Sequence, residues 1–289
     1  MVPPVALTHA RGTTLLKWHR ARRTAADAPF TAERIVEGLR AGASVEVDLR
    51  IHADHGFAIL HDDDLAGATT GRGRVSTTTA AGLRTLTLRD ETRRDSRHPV
   101  LLLDDLAELL AGPALGSSAM LQLDFKQDAR ALDARSVAAF AAAVEPIAAH
   151  LILSCGDAAA VTVLTDAAPG IAVGYDPCHR GAAAAALSSK DYAGFVERAR
   201  LASPRAPMIY LEIPLILGAA DDGIDLVAAF HAHGAQVDAY TLGGPANTGM
   251  TPIVSRLLAL GVDQLTVDDP AGVLALMTAA TGTRADQVP

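Results

Sequence analysis

Cysteine is scarce in this sequence, and neither a long hydrophobic run nor the pattern of a signal peptide is recognised in it. Cys155 and Cys178 are the only cysteines among 289 residues, too few for the disulfide framework of a small secreted protein. No uncharged apolar run reaches the length of about 18 residues that a membrane-spanning helix needs, so no transmembrane segment is predicted. The N-terminus shows neither the apolar stretch nor the small-residue cleavage site of a signal peptide. We therefore expect a cytoplasmic protein.

Positive charge is also scarce. The chain has 25 lysines and arginines against 33 aspartates and glutamates, which gives a net charge of −8. Non-specific nucleic-acid binding needs a basic face that displaces counterions, so nucleic acid is not an expected partner. Only Lys17, Lys126 and Lys190 are lysines, and this scarcity makes a lysine within a strand of more interest.

Short apolar runs alternate with segments suited to helices through most of the chain. Alternation of this kind favours parallel strands covered by helices, and the 49% of residues that are apolar can form one large core. We predict an α/β fold, a TIM (β/α)8 barrel, as a single domain over residues 1–289. The barrel strands are predicted at 14–20, 44–50, 120–126, 151–155, 171–176, 208–214, 237–242 and 264–269. Helices are predicted at 31–41, 103–112, 133–149, 223–233 and 250–260.

Two further segments are predicted as insertions into this barrel. The run 57–61 follows the preceding strand too closely for a parallel crossover, so we predict an inserted hairpin strand with Asp54-His55-Gly56 at the turn. This pairing would return His61 to the neighbourhood of the preceding strand. Residues 62–100 are rich in Thr, Gly and Arg, with one weak helical piece near 79–86. They are predicted to form a loop-rich insertion, either a solvated surface loop or a lid that faces the substrate.

Paired carboxylates are the most informative feature of the chain. Glu46 and Asp48 lie two residues apart in the apolar run 45–49, so in a strand both point to one face while the apolar residues pack on the other. Carboxylates buried side by side repel each other and need a cation. Asp124 offers a third carboxylate, although it could simply pair with Lys126. We predict that Glu46, Asp48 and Asp124 bind a divalent cation.

Oxygen ligands favour Mg²⁺ or Ca²⁺ as that cation. Zinc would favour histidine or cysteine, and neither an HExxH motif nor a paired-cysteine spacing occurs. Residues 67–74, GATTGRGR, have the glycine content of a phosphate-binding loop but not its lysine. The sequence therefore favours a hard ion on carboxylates.

Other polar side chains alternate toward the same interior. His19 and His61 lie at strand ends beside the carboxylates and are predicted to be catalytic, although a lone histidine is more often an ordinary core residue. Arg20 and Lys126 either balance local negative charge or supply the cations that a phosphate site requires.

Two more residues are predicted to belong to this site. Glu212 and Tyr240 lie near the ends of later strands, where they would either line the pocket and contact a substrate or pack in its wall.

The ordered set of motifs resembles the glycerophosphodiester phosphodiesterase family, metal-dependent hydrolases with a TIM barrel. The family's His-Arg pair, Glu-x-Asp strand and His-Asp strand end are matched by His19-Arg20, by Glu46 with Asp48, and by His61-Asp62. Each motif is weak alone, but their order and spacing over roughly residues 15–270 are specific. Further similar segments are TTGRGRV (69–75), HPVLLLDDLAELL (98–110), LQLDFK (121–126), AYTL (239–242) and GVDQLTVDDP (261–270).

The resemblance implies metal-dependent hydrolysis of glycerophosphodiesters to glycerol 3-phosphate and an alcohol. It implies a divalent cation as the cofactor, a small-molecule phosphodiester as the substrate, and His19 and His61 as the acid–base pair. It leaves open which histidine is the acid, and the motifs indicate no oligomeric state.

This chain departs from the family pattern at four places. Ala21 stands where glycine usually follows His-Arg, and residues 29–31 replace a Pro-Glu-Asn element. Asp124 stands where glutamate is the usual third ligand, which shortens the reach by one methylene group, and Tyr240 replaces a tryptophan. These changes affect the expected substrate more than the expected reaction.

Two alternatives follow from these departures. One is a lysophospholipase D or sphingomyelinase D-like enzyme, which would need an apolar channel for an acyl chain. The other is a binding protein on a catalytically retired scaffold.

Overall fold

Eight parallel strands close into a barrel. The computed structural model of the protein describes residues 5–112 and 114–281. Numbered along the chain, the strands are β1 (Ala6–His9), β2 (Gly12–Trp18), β3 (Ser44–Ile51), β4 (Phe57–Ile59), β5 (Thr87–Arg89), β6 (Asp95–Pro99), β7 (Met120–Phe125), β8 (Leu151–Ser154), β9 (Ala172–Tyr175), β10 (Met208–Glu212), β11 (Gln236–Leu242) and β12 (Gln264–Val267). Strands β2, β3 and β7 to β12 pair in parallel in that order, and β12 pairs with β2 to close the ring. The predicted TIM barrel is confirmed.

Helices surround the barrel. They are α1 (Ala32–Arg40), α2 (Leu65–Ala68), α3 (Ala80–Leu83), α4 (Leu103–Ala111), α5 (Ala134–Val144), α6 (Ala158–Ala167), α7 (Ala182–Ser189), α8 (Tyr192–Ala202), α9 (Ile213–Asp221), α10 (Leu226–His231), α11 (Met250–Leu260) and α12 (Pro270–Thr281). None of the described helices is long and apolar enough to cross a membrane. The cytoplasmic location and the single domain over 1–289 stay predictions, and residues 1–4, 113 and 282–289 lie outside the described part of that span.

The ends of several elements differ from the prediction. The strand predicted at 208–214 is too long, because α9 begins at Ile213 with Pro214 in its first turn, a position that proline favours. The helix predicted at 133–149 ends at Val144 and continues as a 3₁₀ helix over Glu145–His150. Helix α10 is shorter than predicted because the Asp225 carboxylate caps it by accepting a hydrogen bond from the Ala228 amide.

The predicted hairpin is present. Strand β4 pairs antiparallel with β3, with Leu49 opposite Ile59, and His55 occupies the turn in the left-handed region with a φ of 66°. Strand β4 ends two residues before His61, so His61 itself is not in the strand. Arg50 holds the segment in place by donating from Nε to the His61 carbonyl at 2.6 Å.

The insertion at 62–100 contains more regular structure than predicted. It holds α2, α3 and a β5–β6 hairpin whose strand sequences, TLR and DSRHP, show no apolar alternation and so gave no strand signal. Val75, Leu83 and Leu88 are fully buried beneath it and anchor it to the barrel. The insertion is therefore packed on the barrel, and the loop-rich description holds only for its connections.

Candidate active site

A cavity of about 380 Å³ opens at the carboxyl ends of the barrel strands. Eight of the nine predicted site residues line it. The ninth, Asp48, has no exposed surface and lies beside the lining residue Glu46 on β3. The lining residues among the predicted nine are His19, Arg20, Glu46, His61, Asp124, Lys126, Glu212 and Tyr240.

Three carboxylates converge at this mouth. Glu46, Asp48 and Asp124 each present one oxygen, and these oxygens lie within 4.8 Å of one another. The strand register explains the convergence, because β3 and β7 are neighbours in which Asp48 stands directly opposite Asp124. Strand periodicity brings Glu46 to the same face, two residues before Asp48. The structure thus brings the three predicted acids together, and their role as metal ligands stays a prediction.

Two cations face the carboxylates. Lys126 Nζ lies 2.8 Å from Asp48 Oδ1 and also pairs with Asp124, while Arg20 Nε lies 3.5 Å from Asp48 Oδ2. The carboxylates raise the pKa of Lys126 above its ordinary value against the opposing effect of burial. Asp124 therefore both pairs with Lys126 and belongs to the acidic cluster, so the two alternatives for Asp124 are not exclusive.

The buried carboxylate of Asp48 is incompletely satisfied. Within residues 5–112 and 114–281, neither of its oxygens has a partner in hydrogen-bonding geometry, and the same holds for Arg20 Nε. Burial, and then the charge of Glu46, raises the pKa of Asp48. Three carboxylates against two cations leave one negative charge uncompensated. This donor set fits a hard divalent cation.

A tight turn after β2 presents His19 and Arg20. Strand β2 ends at Trp18 and a 3₁₀ turn follows over His19–Ala21, so the prediction of a strand over 14–20 is wrong at its end. Arg20 and Ala21 have φ angles of 54° and 58°, which a strand cannot contain. The turn directs the Arg20 amide N–H to Glu46 Oε2 at 2.7 Å.

His19 is held by a residue that the sequence prediction missed. Its Nδ1 lies 2.5 Å from Asp268 Oδ1, and Arg22 donates to the same carboxylate oxygen. Strand β12 ends at Val267, so Asp268 lies just beyond the strand, and the prediction of a strand over 264–269 is too long at its end. Burial lowers the pKa of His19, and the Asp268 carboxylate opposes that shift. A neutral imidazole that donates from Nδ1 leaves Nε2 available to the cavity.

His61 has a parallel arrangement. Its Nδ1 lies 2.9 Å from Asp62 Oδ1, so Asp62 contacts Nδ1 and not Nε2. Burial is the largest cause that lowers the pKa of His61, and the charge of Asp48 acts in the opposite direction. Both imidazoles on the cavity are thus oriented by carboxylates.

The opposite wall of the cavity carries acidic and phenolic groups. Tyr240 donates its hydroxyl to Asp176 Oδ2 at 2.8 Å, and His179 Nε2 lies 3.0 Å from the same oxygen. The bond to Asp176 raises the pKa of His179. Burial, and then the charge of Asp176, raises the pKa of Glu212. Tyr240 and Glu212 both line the cavity, while Asp176 and His179 were not predicted.

A known protein family matches most of this chain. The Glycerophosphoryl diester phosphodiesterase family matches residues 28–272. The chain belongs to this family. Its members hydrolyse phosphodiester bonds, so the chain is a phosphodiesterase of this family. No curated protein sequence matches the chain.

Solved structures of the glycerophosphodiester phosphodiesterase family share the fold at low sequence identity. A phosphodiesterase from Oleispira antarctica, solved in complex with the product sn-glycerol-3-phosphate, is 19% identical with a TM-score of 0.63, over 92% of this chain and 96% of that chain. The enzyme from Thermotoga maritima is 17% identical with a TM-score of 0.64, over 91% and 98% of the two chains. The enzyme from Agrobacterium tumefaciens is 20% identical with a TM-score of 0.63, over 93% and 100%.

The turn after β2 contains one of the departures from the family pattern. Ala21 occupies the position where the phosphodiesterases usually carry glycine, and its left-handed φ costs a residue with a Cβ atom about 1–2 kcal/mol. Ala21 is nevertheless fully buried and the turn retains its contact with Glu46. The family's backbone geometry thus survives without the glycine.

Asp268 is expected to position His19. Replacing it in Asp268→Asn removes the charge that opposes burial, so the pKa of His19 should fall further. The imidazole would also lose its orientation, and a misplacement of about 1 Å typically lowers a rate by about 10²-fold. NMR titration of the His19 ring and kcat of the variant measure the two effects.

A surface pair supplies the control for this variant. His231 Nε2 lies 2.8 Å from Asp263 Oδ2 outside the cavity, so Asp263→Asn removes the same kind of contact. Unchanged kcat in Asp268→Asn, or an equal loss in Asp263→Asn, would contradict the positioning role.

Proposed function

We propose that this phosphodiesterase hydrolyses glycerophosphodiesters to glycerol 3-phosphate and an alcohol, with Mg²⁺ or Ca²⁺ as its cofactor. The observation that carries the proposal is the acidic triad of Glu46, Asp48 and Asp124, which lies beside two cations and two oriented histidines. The match to the phosphodiesterase family, and the sn-glycerol-3-phosphate in the Oleispira antarctica enzyme, support this class of substrate.

The charge balance of the site supports a phosphodiester. Around the triad, one negative charge remains after Arg20 and Lys126 are counted. Each histidine is paired with a carboxylate outside the triad, Asp268 or Asp62, so this count leaves both pairs out. A divalent ion would change the local charge to one positive, which complements the single negative charge of a phosphodiester.

The ion and the two cations have separable roles. Held by Glu46, Asp48 and Asp124, a divalent ion would supply Lewis-acid stabilisation of charge on the phosphoryl group. Arg20 lines the cavity with a partly exposed side chain, so its guanidinium can donate to a phosphoryl oxygen. Lys126 adds a second positive charge at the same mouth. One preorganised charge of this kind is typically worth about 3–4 kcal/mol of barrier.

His19 and His61 would carry the protons. One imidazole takes the proton of the attacking hydroxyl, and the other, protonated on both ring nitrogens, gives its Nε2 proton to the oxygen of the leaving alcohol. The carboxylates of Asp268 and Asp62 hold the two Nδ1 atoms, so each ring presents Nε2 to the reaction. Such acid–base transfer contributes about 10²–10⁴-fold per group.

The lining of the cavity favours polar alcohols over lysolipids. Polar, ionisable and phenolic side chains line it, and no aliphatic side chain of the described residues does so. No residue of 62–100 lines it either, so the apolar channel that an acyl chain would need is not formed there. We infer that Glu212 and Tyr240, on the wall opposite the triad, contact the glycerol or the leaving alcohol.

A pair of substrates tests this proposal. Glycerophosphocholine should be hydrolysed with a kcat/KM above that of lysophosphatidylcholine by roughly 10- to 200-fold, because the cavity gives an acyl chain no apolar contacts. The measurement is the initial rate with each diester. The reverse preference would favour the lipid phosphodiesterase alternative, and turnover of neither would favour a retired binding protein.

A further inference from the structure

A chain of buried hydrogen bonds runs beneath the acidic triad. Lys17 donates from Nζ to Gln122 Oε1, and Gln122 Nε2 donates to Ser154 Oγ at 2.8 Å. The Ser154 hydroxyl then donates to Asp124 Oδ1 at 2.7 Å. Lys17, Gln122 and Ser154 have at most 5% of their surface exposed, so water does not compete for these bonds.

Lys17 makes two further contacts besides its bond to Gln122. Its ammonium lies 3.0 Å from Asp238 Oδ2 and 4.3 Å from the centre of the Tyr210 ring, besides its bond to Gln122. Thr266 donates to the other oxygen of Asp238 at 2.6 Å. An ion pair, a hydrogen bond and a cation–π contact therefore hold the Lys17 ammonium in place.

The positive charge on Lys17 sets the direction of the whole chain. An ammonium only donates, so the Gln122 oxygen must accept and its NH₂ must donate onward. The Ser154 oxygen accepts that bond, which leaves its single proton for Asp124. Hydrogen bonds in such a buried chain polarise one another and strengthen the last donation.

We propose that Ser154 is a positioning residue for the metal ligand Asp124, oriented in turn by Lys17 through Gln122. This inference rests on the proposed function, because it takes Asp124 as a ligand. Asp124 is one methylene group shorter than the glutamate usual at this position, so its carboxylate must be held in one rotamer to reach the cluster. Ser154 holds Oδ1 and Lys126 pairs with Oδ2, so both oxygens have fixed partners. Partners that orient metal ligands in this way commonly affect ion affinity.

The test is direct binding of Mn²⁺ to the metal-free protein by calorimetry. Ser154→Ala should raise the Kd by about 10- to 100-fold, the usual cost of losing such a partner. Ser154→Thr keeps the hydroxyl and should restore most of the affinity. Thermal unfolding of the metal-free variants reports any purely structural loss.

A matched serine separates positioning from packing. Ser136 is fully buried on α5, away from the cavity, and its hydroxyl also makes two hydrogen bonds, both with the Asp133 backbone. Ser136→Ala should lower the melting temperature but leave the Kd for Mn²⁺ unchanged.

Two results would overturn the inference by different routes. Wild-type Mn²⁺ affinity in Ser154→Ala, or an equal rise of Kd in Ser136→Ala, would overturn the role of Ser154 while leaving the proposed function intact. Absence of saturable Mn²⁺ binding to the wild-type protein would overturn the proposed metal dependence and this inference with it.

Discussion

Asp48→Asn is expected to abolish ion binding and to lower kcat/KM for glycerophosphocholine by about 10²–10³-fold. The Asp48 carboxylate is fully buried beside Glu46 and Asp124, and its oxygens pair with Lys126 and Arg20. An amide of the same shape keeps the packing but removes one of the three charges that fit a divalent cation. Calorimetric ion binding and steady-state kinetics measure the two losses.

A second acid-to-amide variant provides the control. Asp176 is also buried on the wall of the same cavity but lies outside the triad. Asp176→Asn removes the same charge and should leave the Kd for the ion unchanged within error. Equal ion affinity in Asp48→Asn and the wild type would refute the proposed ligand set.

Removal of either of the two proposed acid–base imidazoles is expected to give a comparable loss. His19→Ala and His61→Ala should each lower kcat by about 10²–10⁴-fold, because each ring carries one proton transfer. Both side chains lie at the cavity mouth and are partly exposed, so their truncation should leave the fold intact. Circular dichroism and kcat at saturating substrate measure the two expectations.

His52 is a suitable control for these histidines. It is buried, and burial lowers its pKa as it does for His19, but it does not line the main cavity. His52→Ala should lower stability and leave kcat unchanged. A kcat near the wild-type value in either His19→Ala or His61→Ala would remove that histidine from the mechanism.

Much of the fold could be predicted because its signals are local. The eight barrel strands are short apolar runs between helical segments, and the hairpin follows from the short connection before β4. Helices such as α7 and α9 gave no comparable signal, because they are alanine-rich or apolar on most faces and lack an amphipathic period. The β5–β6 hairpin was not predicted for the opposite reason, because its strands are mostly polar.

The site was predictable where strand periodicity alone orients side chains. Glu46 and Asp48 share a face in any strand because they lie two residues apart. Asp124 lies beside them because β7 is the neighbour of β3 in the barrel. Asp268 was missed because its contact with His19 joins residues 249 positions apart, across the closure of the barrel. The strand was also predicted over 264–269, so Asp268 was taken as part of a strand that ends one residue before it.

Supporting residues of the site carried still weaker signals. Gln122 and Ser154 are uncharged polar residues within strands, and no motif of the sequence marks them as functional. Their importance depends on the hydrogen-bond chain to Asp124, which involves two neighbouring strands and a buried lysine on a third. These groups come together only in the folded protein.

The central claim is that Glu46, Asp48 and Asp124 hold a divalent ion that phosphodiester hydrolysis requires. Its most direct test is the rate of glycerol 3-phosphate release from glycerophosphocholine after exhaustive treatment with EDTA, and again after Mg²⁺, Ca²⁺ or Mn²⁺ is returned. We expect the rate to fall by at least about 10²-fold on chelation and to recover with one or more of these ions. Full activity in the chelated protein, with no response to added ion, would contradict the account.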